Sequence, residues 1–279
     1  MNLTPLLTGR QLIDDVDAAA PAAGECAFWW LGQQGFIVKL AARVLYLDPY
    51  LSPRADRRVP PLLAGSDVTN ADIILGTHDH IDHIDRPALP AMAAASPQAR
   101  IVIPELRRAG LAHDLAIDPA RFVGMDDGAT VELGGVRISA VASAHELLDR
   151  DAASGRYPYL GYVIEGGGVT IYHAGDCCMY EGLITKLRRW RFDLAFLPIN
   201  GRDARRLRRG CIGNMTYQEA ADLAGAIEPR LTVPAHYEMF EHNSQDPQPF
   251  VEYMQVKYPR LATCLPRHGQ RIMLPPLQP

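Results

Sequence analysis

The sequence lacks the features of an exported, disulfide-stabilised or membrane-spanning protein. Its five cysteines are odd in number and show no Cys-x-x-Cys spacing, which argues against a disulfide framework and against a zinc ribbon. The N-terminal segment carries acidic residues instead of a basic start followed by an apolar run, so it does not resemble a signal peptide. No apolar stretch approaches the roughly 20 residues that a transmembrane helix needs. These absences predict a cytoplasmic protein with no membrane partner.

Positive charge is also scarce. The net charge of −4 is the opposite of what a general nucleic-acid binder needs, so we expect no nucleic-acid partner. An anionic ligand must then be attracted by a local basic patch. The chain has 279 residues, 48% of them hydrophobic, and shows neither an internal repeat nor a low-complexity linker. We therefore interpret residues 1–279 as one domain with a sizeable core.

Short apolar runs bounded by turn residues predict many strands, and longer periodic segments predict helices. Helices are expected at 11–19, 87–95, 182–189, 216–226 and 249–258. Strands are expected at 27–31, 35–40, 43–47, 72–76, 100–103, 131–133, 136–141, 160–165, 169–173, 194–198, 230–234 and 262–265. Because some strands follow one another directly and others alternate with helices, the pattern indicates two sheets with helices outside.

The segment Thr77-His78-Asp79-His80-Ile81-Asp82-His83 is the most informative part of the chain. It follows a buried strand and holds three imidazoles and carboxylates within six residues. In a turning loop, His78 and His80 can converge on one ion while Asp82 and His83 turn toward a second. Imidazole nitrogen together with carboxylate oxygen suits zinc, iron, manganese or cobalt better than calcium or magnesium.

Three further candidates stand at the ends of later predicted strands. They are His145, Asp176 and His236. Each alone is weak evidence, but a site shared across the ends of several strands would recruit residues at these positions.

Together these residues resemble the pattern of the metallo-β-lactamase superfamily, which is HxHxDH followed by His, Asp and His. The resemblance implies a four-layer αββα sandwich, an α/β (α+β) fold with the metals at one edge of the sheets. It also implies that His78, His80 and His145 hold the first ion, that Asp82, His83 and His236 hold the second, and that Asp176 bridges them. Thr77 and His173 are expected to orient ligands by hydrogen bonds, although core packing explains His173 equally well. Asp79 is interpreted as a spacer or an outer residue.

Two divalent ions, manganese or zinc with iron possible, imply a hydrolase that attacks with a hydroxide bridging the metals. Asp82 is then the catalytic residue that also carries the proton. Several segments narrow the expectation, among them 30–36, 47–51, 197–203, 212–215 and 236–240. They resemble the L-ascorbate-6-phosphate lactonase group, which opens the lactone ring of phosphorylated ascorbate and forms homo-oligomers. Cys177-Cys178 departs from that group's pattern, which leaves the shape of the pocket open.

A small anionic and phosphorylated substrate needs guanidinium groups, and five arginines fall within residues 202–209. Arg202, nearest the strand end, is the predicted substrate contact, with Asn200, Asn214 and Tyr237 as further polar contacts. The cluster equally suits a solvated helix face or a subunit contact. Cys177 and Cys178 are interpreted as inert buried thiols in preference to redox-sensitive ones.

Two other functions stay open. The same hydroxide can attack phosphorus, which makes a phosphodiesterase acting on a cyclic nucleotide or another diester the leading alternative. A non-catalytic, metal-binding regulatory protein is the second, although such proteins usually lose ligands and no expected ligand position is lost here. A β-lactamase is disfavoured by the missing signal peptide, and RNA processing by the missing basic surface.

Overall fold

A computed structural model describes residues 3–275, and two seven-stranded sheets form its centre. The first sheet has the order β14-β1-β2-β3-β4-β5-β6, and the second has the order β13-β12-β11-β10-β9-β8-β7. The strands of the first sheet are β1 Cys26–Gly32, β2 Gly35–Leu40, β3 Arg43–Leu47, β4 Ile73–Leu75, β5 Arg100–Pro104, β6 Phe122–Met125 and β14 Arg271–Leu274. Those of the second are β7 Thr130–Leu133, β8 Val136–Ala142, β9 Leu160–Gly166, β10 Val169–His173, β11 Leu194–Pro198, β12 Leu231–Ala235 and β13 Ala262–Thr263.

Each sheet is antiparallel on one side and parallel on the other. In the first sheet, β14, β1, β2 and β3 pair antiparallel, whereas β3, β4, β5 and β6 pair parallel. In the second sheet, β7 to β10 pair antiparallel, and β10 to β13 pair parallel. Parallel strands end at the same edge of a sheet, so the loops that follow them come together there.

Seven helices accompany the sheets in residues 3–275. They are α1 Gly9–Ala18, α2 Leu89–Ala95, α3 Glu105–Asp114, α4 Leu183–Leu187, α5 Ala204–Arg208, α6 Tyr217–Ile227 and α7 Gln248–Lys257. Capping explains where α6 begins, because the Thr216 hydroxyl accepts a hydrogen bond from the backbone N–H of Glu219 and the Glu219 carboxylate accepts one from that of Thr216. No helix in this part of the chain has the length and apolar character that crossing a bilayer demands.

The layering follows from β1, whose seven residues are all buried. Phe28 and Trp30 point toward the second sheet, whereas Trp29 and Leu31 point away from it and pack with Leu12 of α1. A strand covered on both faces needs apolar residues at every position, and β1 has them. The result is the αββα sandwich that the resemblance implied.

Candidate metal centre

Four loops bring the predicted ligands to one edge of the sandwich. Residues 77–83 follow β4, His145 follows β8, Asp176 follows β10, and His236 follows β12. All seven predicted side chains meet there in two groups. The first group contains His78, His80, His145 and Asp176, and the second contains Asp82, His83 and His236; in each group the ligand atoms lie within 4.8 Å of one another.

Asp176 lies between the two groups. Its Oδ1 atom is 3.2 Å from Nε2 of His83 and 3.2 Å from Nε2 of His236, both in the second group. Its Oδ2 atom is 3.7 Å from Nε2 of His145 in the first group. The two oxygens of this one carboxylate therefore face different groups, which is the arrangement a bridging ligand requires.

Several buried polar atoms of the two ligand groups lack hydrogen-bond partners in the described part of the chain, as expected for atoms that bind a metal. Nε2 of His83, Nε2 of His236 and Oδ1 of Asp176 make no hydrogen bond with any residue in 3–275. Leaving such atoms unpaired away from water costs about 1–3 kcal/mol each. Oδ1 of Asp176 lies 3.2 Å from each of these nitrogens, and nitrogen and carboxylate donors together suit a divalent first-row ion. The donor set therefore fits metal binding.

A second layer of hydrogen bonds centres on Asp48, which is fully buried and follows β3 directly. Its Oδ1 accepts from the backbone N–H of Thr77 at 2.7 Å, and its Oδ2 accepts from the Thr77 hydroxyl at 2.8 Å. Oδ2 also lies 2.8 Å from Nδ1 of His83 and 3.0 Å from Nε2 of His173. His173 acts through this carboxylate, which turns Nε2 of His83 toward the ligand group. Thr77 also orients the rings directly, because its hydroxyl lies 3.1 Å from Nδ1 of His78 and 3.2 Å from Nδ1 of His83.

Gln33 links the two ligands of the second group. Its Nε2 donates to Oδ2 of Asp82 at 3.1 Å, while its backbone carbonyl accepts from the N–H of His236 at 2.8 Å. His236 has a φ of 62°, a left-handed conformation that the Gln33 contact holds in place. The turn between β1 and β2 thus fixes residues from two distant loops.

The pKa values of the imidazoles differ between the groups. Burial lowers the pKa of His78, and it lowers that of His145 to about 4, so these rings are neutral. Burial also opposes the charged form of His83 and His236, but Asp176 and the neighbouring carboxylates outweigh it. The pKa of His83 lies well above its ordinary value, and that of His236 rises to about 9. The carboxylates of the second group therefore stabilise positive charge. Without a metal, protons on His83 and His236 supply that charge.

Asp82 and Asp176 are ionised. Burial alone would raise the pKa of both carboxyl groups, but His83 and His236 hold both values below the ordinary one. Asp79 turns away from the centre, because its Oδ2 pairs with Arg86 at 2.7 Å. It is an outer residue, as its interpretation from the sequence allowed.

A cavity of about 390 Å³ opens beside the ligands. His80, Asp82 and His236 form its floor. Beyond the two ligand groups, its lining includes Arg54, Arg206, Arg209, Phe240, His242 and Asn243. Three arginines therefore line one opening in a chain whose net charge is negative.

The predicted substrate contacts lie elsewhere than expected. Arg202 forms a two-point ion pair with Glu219, at 2.6 and 2.8 Å, and is absent from the described lining of this cavity. Tyr237 is buried with its ring 4.6 Å from that of Trp30. Asn200 and Asn214 are fully buried behind the wall. Arg206 and Arg209 of the same cluster line this cavity instead.

Cys177 and Cys178 follow Asp176 directly and are buried. Burial raises the pKa of the Cys177 thiol to about 12 and also raises that of Cys178. A thiol reacts as its thiolate, so both side chains have the character of inert packing groups.

Comparison with known proteins agrees with this geometry. The family model described as "Beta-lactamase superfamily domain" matches residues 43–237, which span β3 to the residue after His236. The chain belongs to the metallo-β-lactamase superfamily. A "UPF0173 metal-dependent hydrolase" from Pyrobaculum calidifontis is 31% identical over 222 residues, which cover 79% of this chain and 88% of that relative. Within the superfamily, the chain thus belongs with the metal-dependent hydrolases.

Solved structures show the same superfamily fold. Igni18, a metallo hydrolase from Ignicoccus hospitalis, aligns with a TM-score of 0.66 at 19% identity, covering 89% of this chain and 98% of that one. CmlA, a diiron β-hydroxylase from Streptomyces venezuelae, aligns with a TM-score of 0.65 at 17% identity, covering 96% of this chain and 60% of that one. Neither description names a lactone, so the lactonase resemblance stays a prediction.

Proposed function

We propose that the protein is a dinuclear metal-dependent hydrolase that opens the lactone ring of a phosphorylated sugar acid such as L-ascorbate 6-phosphate. One observation carries the proposal: two ligand groups that share Asp176 form one side of a cavity, and arginines line another. The ligand side suits attack on a carbonyl, and the arginine side suits a phosphate. Both are needed for a substrate of this class.

Two divalent ions, manganese or zinc with iron possible, would make a bound water acidic at neutral pH and would polarise the substrate's carbonyl oxygen. The chain's own contribution begins with Asp82. Its carboxylate is ionised, faces the cavity, and is held by Nε2 of Gln33 at 3.1 Å. We assign it the acceptance of the proton from the attacking water and its transfer to the oxygen that leaves when the ring opens.

The arginines provide binding energy remote from the scissile bond. Arg206 is positioned by Asp203, whose Oδ2 accepts from its Nε at 2.6 Å. Arg54 lies over the Phe240 ring, with its guanidinium carbon 5.0 Å from the ring centroid. A planar guanidinium binds phosphate through two parallel hydrogen bonds, so a phosphorylated substrate would be oriented before the ring opens.

The wall formed by Arg54, Phe240 and His242 favours the alternative substrate, a cyclic nucleotide or another phosphodiester. The rings of Phe240 and His242 are 5.7 Å apart, and both residues line the cavity. An aromatic wall beside cationic groups can accept a nucleobase by stacking. The same ligand centre would then face phosphorus instead of carbon.

Turnover by manganese-loaded protein of L-ascorbate 6-phosphate and of bis(p-nitrophenyl) phosphate, measured in parallel, tests the proposal. We expect ring opening to dominate and Asp82→Ala to reduce it by at least about 100-fold, since general acid–base groups contribute about 10²–10⁴-fold. The control is Asp14→Ala, which removes an exposed carboxylate that pairs with Arg10 on α1. Diester cleavage without lactone opening would instead establish the alternative.

A further inference from the structure

Three asparagines form a hydrogen-bonded chain that ends at the cavity. Nδ2 of Asn214 donates to Oδ1 of Asn200 at 3.0 Å, and Nδ2 of Asn200 donates to Oδ1 of Asn243 at 2.7 Å. Asn214 and Asn200 are fully buried, whereas Asn243 is partly exposed and lines the cavity. The three side chains come from the loops after β11, before α6 and after β12, so tertiary structure alone brings them together.

The direction of this chain determines what Asn243 offers to a ligand. Because the Asn243 carbonyl oxygen already accepts from Asn200, its amide nitrogen is the group left over, and that nitrogen has no acceptor in residues 3–275. An amide nitrogen can only donate. Asn243 therefore presents a hydrogen-bond donor, and not an acceptor, to a ligand in the cavity.

Asn200 positions a second donor through its backbone. Its carbonyl oxygen accepts from Nη1 of Arg206 at 2.5 Å, and Arg206 also lines the cavity. One buried residue thus directs both a neutral and a charged donor toward the same space. Two donors that line the same cavity suit the oxygens of an anion.

We propose that Asn214, Asn200 and Asn243 form a relay that fixes the Asn243 amide as a donor to an oxyanion of the substrate, a phosphate or a carboxylate. Asn243 is the contact residue, and Asn200 and Asn214 are positioning residues that act through it. The proposal deepens the proposed function by naming what this wall binds. It also gives Asn200 and Asn214 a role without direct contact with substrate.

Asn200→Asp reverses the relay with almost no change in shape. A carboxylate accepts only, so Asn214 still donates to it, but the oxygen that replaces Nδ2 repels Oδ1 of Asn243. The Asn243 amide then turns over, its nitrogen donates inward, and its carbonyl oxygen faces the cavity. An oxyanion there meets a repelling dipole.

The test is a double-mutant cycle on the metal-loaded protein with Asn200→Asp, Asn243→Ala and the double variant. Inorganic phosphate and acetate are titrated separately by calorimetry, and the metal content and melting temperature of each variant are measured. We expect each single change to raise the dissociation constant of the bound anion about tenfold or more. The double variant should bind as weakly as Asn243→Ala alone, because the Asn200 side chain acts only through Asn243 and its backbone contact with Arg206 is kept.

The cycle separates the relay from simple charge repulsion. A new carboxylate that merely repelled the anion would weaken binding equally in the Asn243→Ala background, and that additive result would overturn the proposal. Unchanged affinity in the single variants would overturn it too, as would failure of the wild type to bind either anion. Binding of only one anion supports the relay and identifies the ligand class. Because no turnover is measured, failure here leaves the hydrolase proposal to its own assay.

Discussion

The two ligand groups share an edge and a carboxylate, yet they differ in electrostatic character. The first group has three imidazoles, and burial keeps that of His145 neutral by lowering its pKa to about 4. The second has two imidazoles against Asp82 and Asp176, and the pKa of His236 rises to about 9. The first group therefore offers free nitrogen lone pairs near neutral pH, whereas the second must release protons before it binds a cation. Histidine and aspartate thus form both groups, but only the second group has to lose protons when it binds a cation.

Asp176→Ala should have the largest effect, because it removes the ligand that both groups share. Loss of a residue that merely orients a ligand costs about 10–100-fold in metal affinity, so loss of the bridge should cost more at each group. Elemental analysis after dialysis should find fewer than two ions per chain, with Asp14→Ala again as the control. Retention of two ions would mean that the groups do not share Asp176.

Asp48→Asn should affect the groups unequally. It weakens the hydrogen bond to Nδ1 of His83, which is a ligand of the second group alone. We expect about 10–100-fold weaker binding of the second ion and a smaller change for the first, which Asp48 reaches only through the Thr77 hydroxyl beside Nδ1 of His78. Competition with a chromophoric chelator resolves the two steps. Equal weakening of both steps would show that Asp48 supports the whole edge of the sandwich instead of one group.

The pH dependence of metal binding should be the most selective effect. Below pH 9 the second group binds its ion only by displacing the proton on His236, so affinity should rise about tenfold per pH unit for each proton released. The first group should be nearly insensitive above pH 5, because His145 has already lost its proton. Chelator competition at pH 6, 7 and 8 measures both slopes. Parallel slopes would contradict the assignment of charge to the second group.

The ligands were predictable because three histidines in six residues are rare without a metal. The other three, His145, Asp176 and His236, each follow the end of a strand. The residues that position the ligands were harder to predict. Asp48, Gln33 and Asn243 lie 35, 49 and 43 residues from the partners that define them, namely His83, Asp82 and Asn200. Only the fold joins such pairs. An acidic residue directly after a buried strand, as Asp48 is after β3, was the one available signal.

Strands β6 and β14 and helix α3 were not predicted from the sequence, because their hydrophobic patterns are weak. Strand β14 is at the edge of the first sheet, and its apolar run is only three residues long, from Ile272 to Leu274. Helix α3 buries only Leu111 and Ala112, too few to produce a helical periodicity. Strand β6 contains Gly124, whose position leaves no room for a side chain beside Glu105. In each case packing by neighbours outweighs the local preference.

Asp48 has a mechanical consequence as well. It holds Thr77 and His83 from the first sheet and His173 from the second, so one carboxylate fastens the two sheets together beneath the ligand groups. Any opening of the sandwich at this edge must separate Asp48 and His83 on the first sheet from His173 and His236 on the second. Occupation of the second group should therefore slow local opening, and amide hydrogen exchange at the ends of β3, β4 and β10 should report metal binding from inside the core.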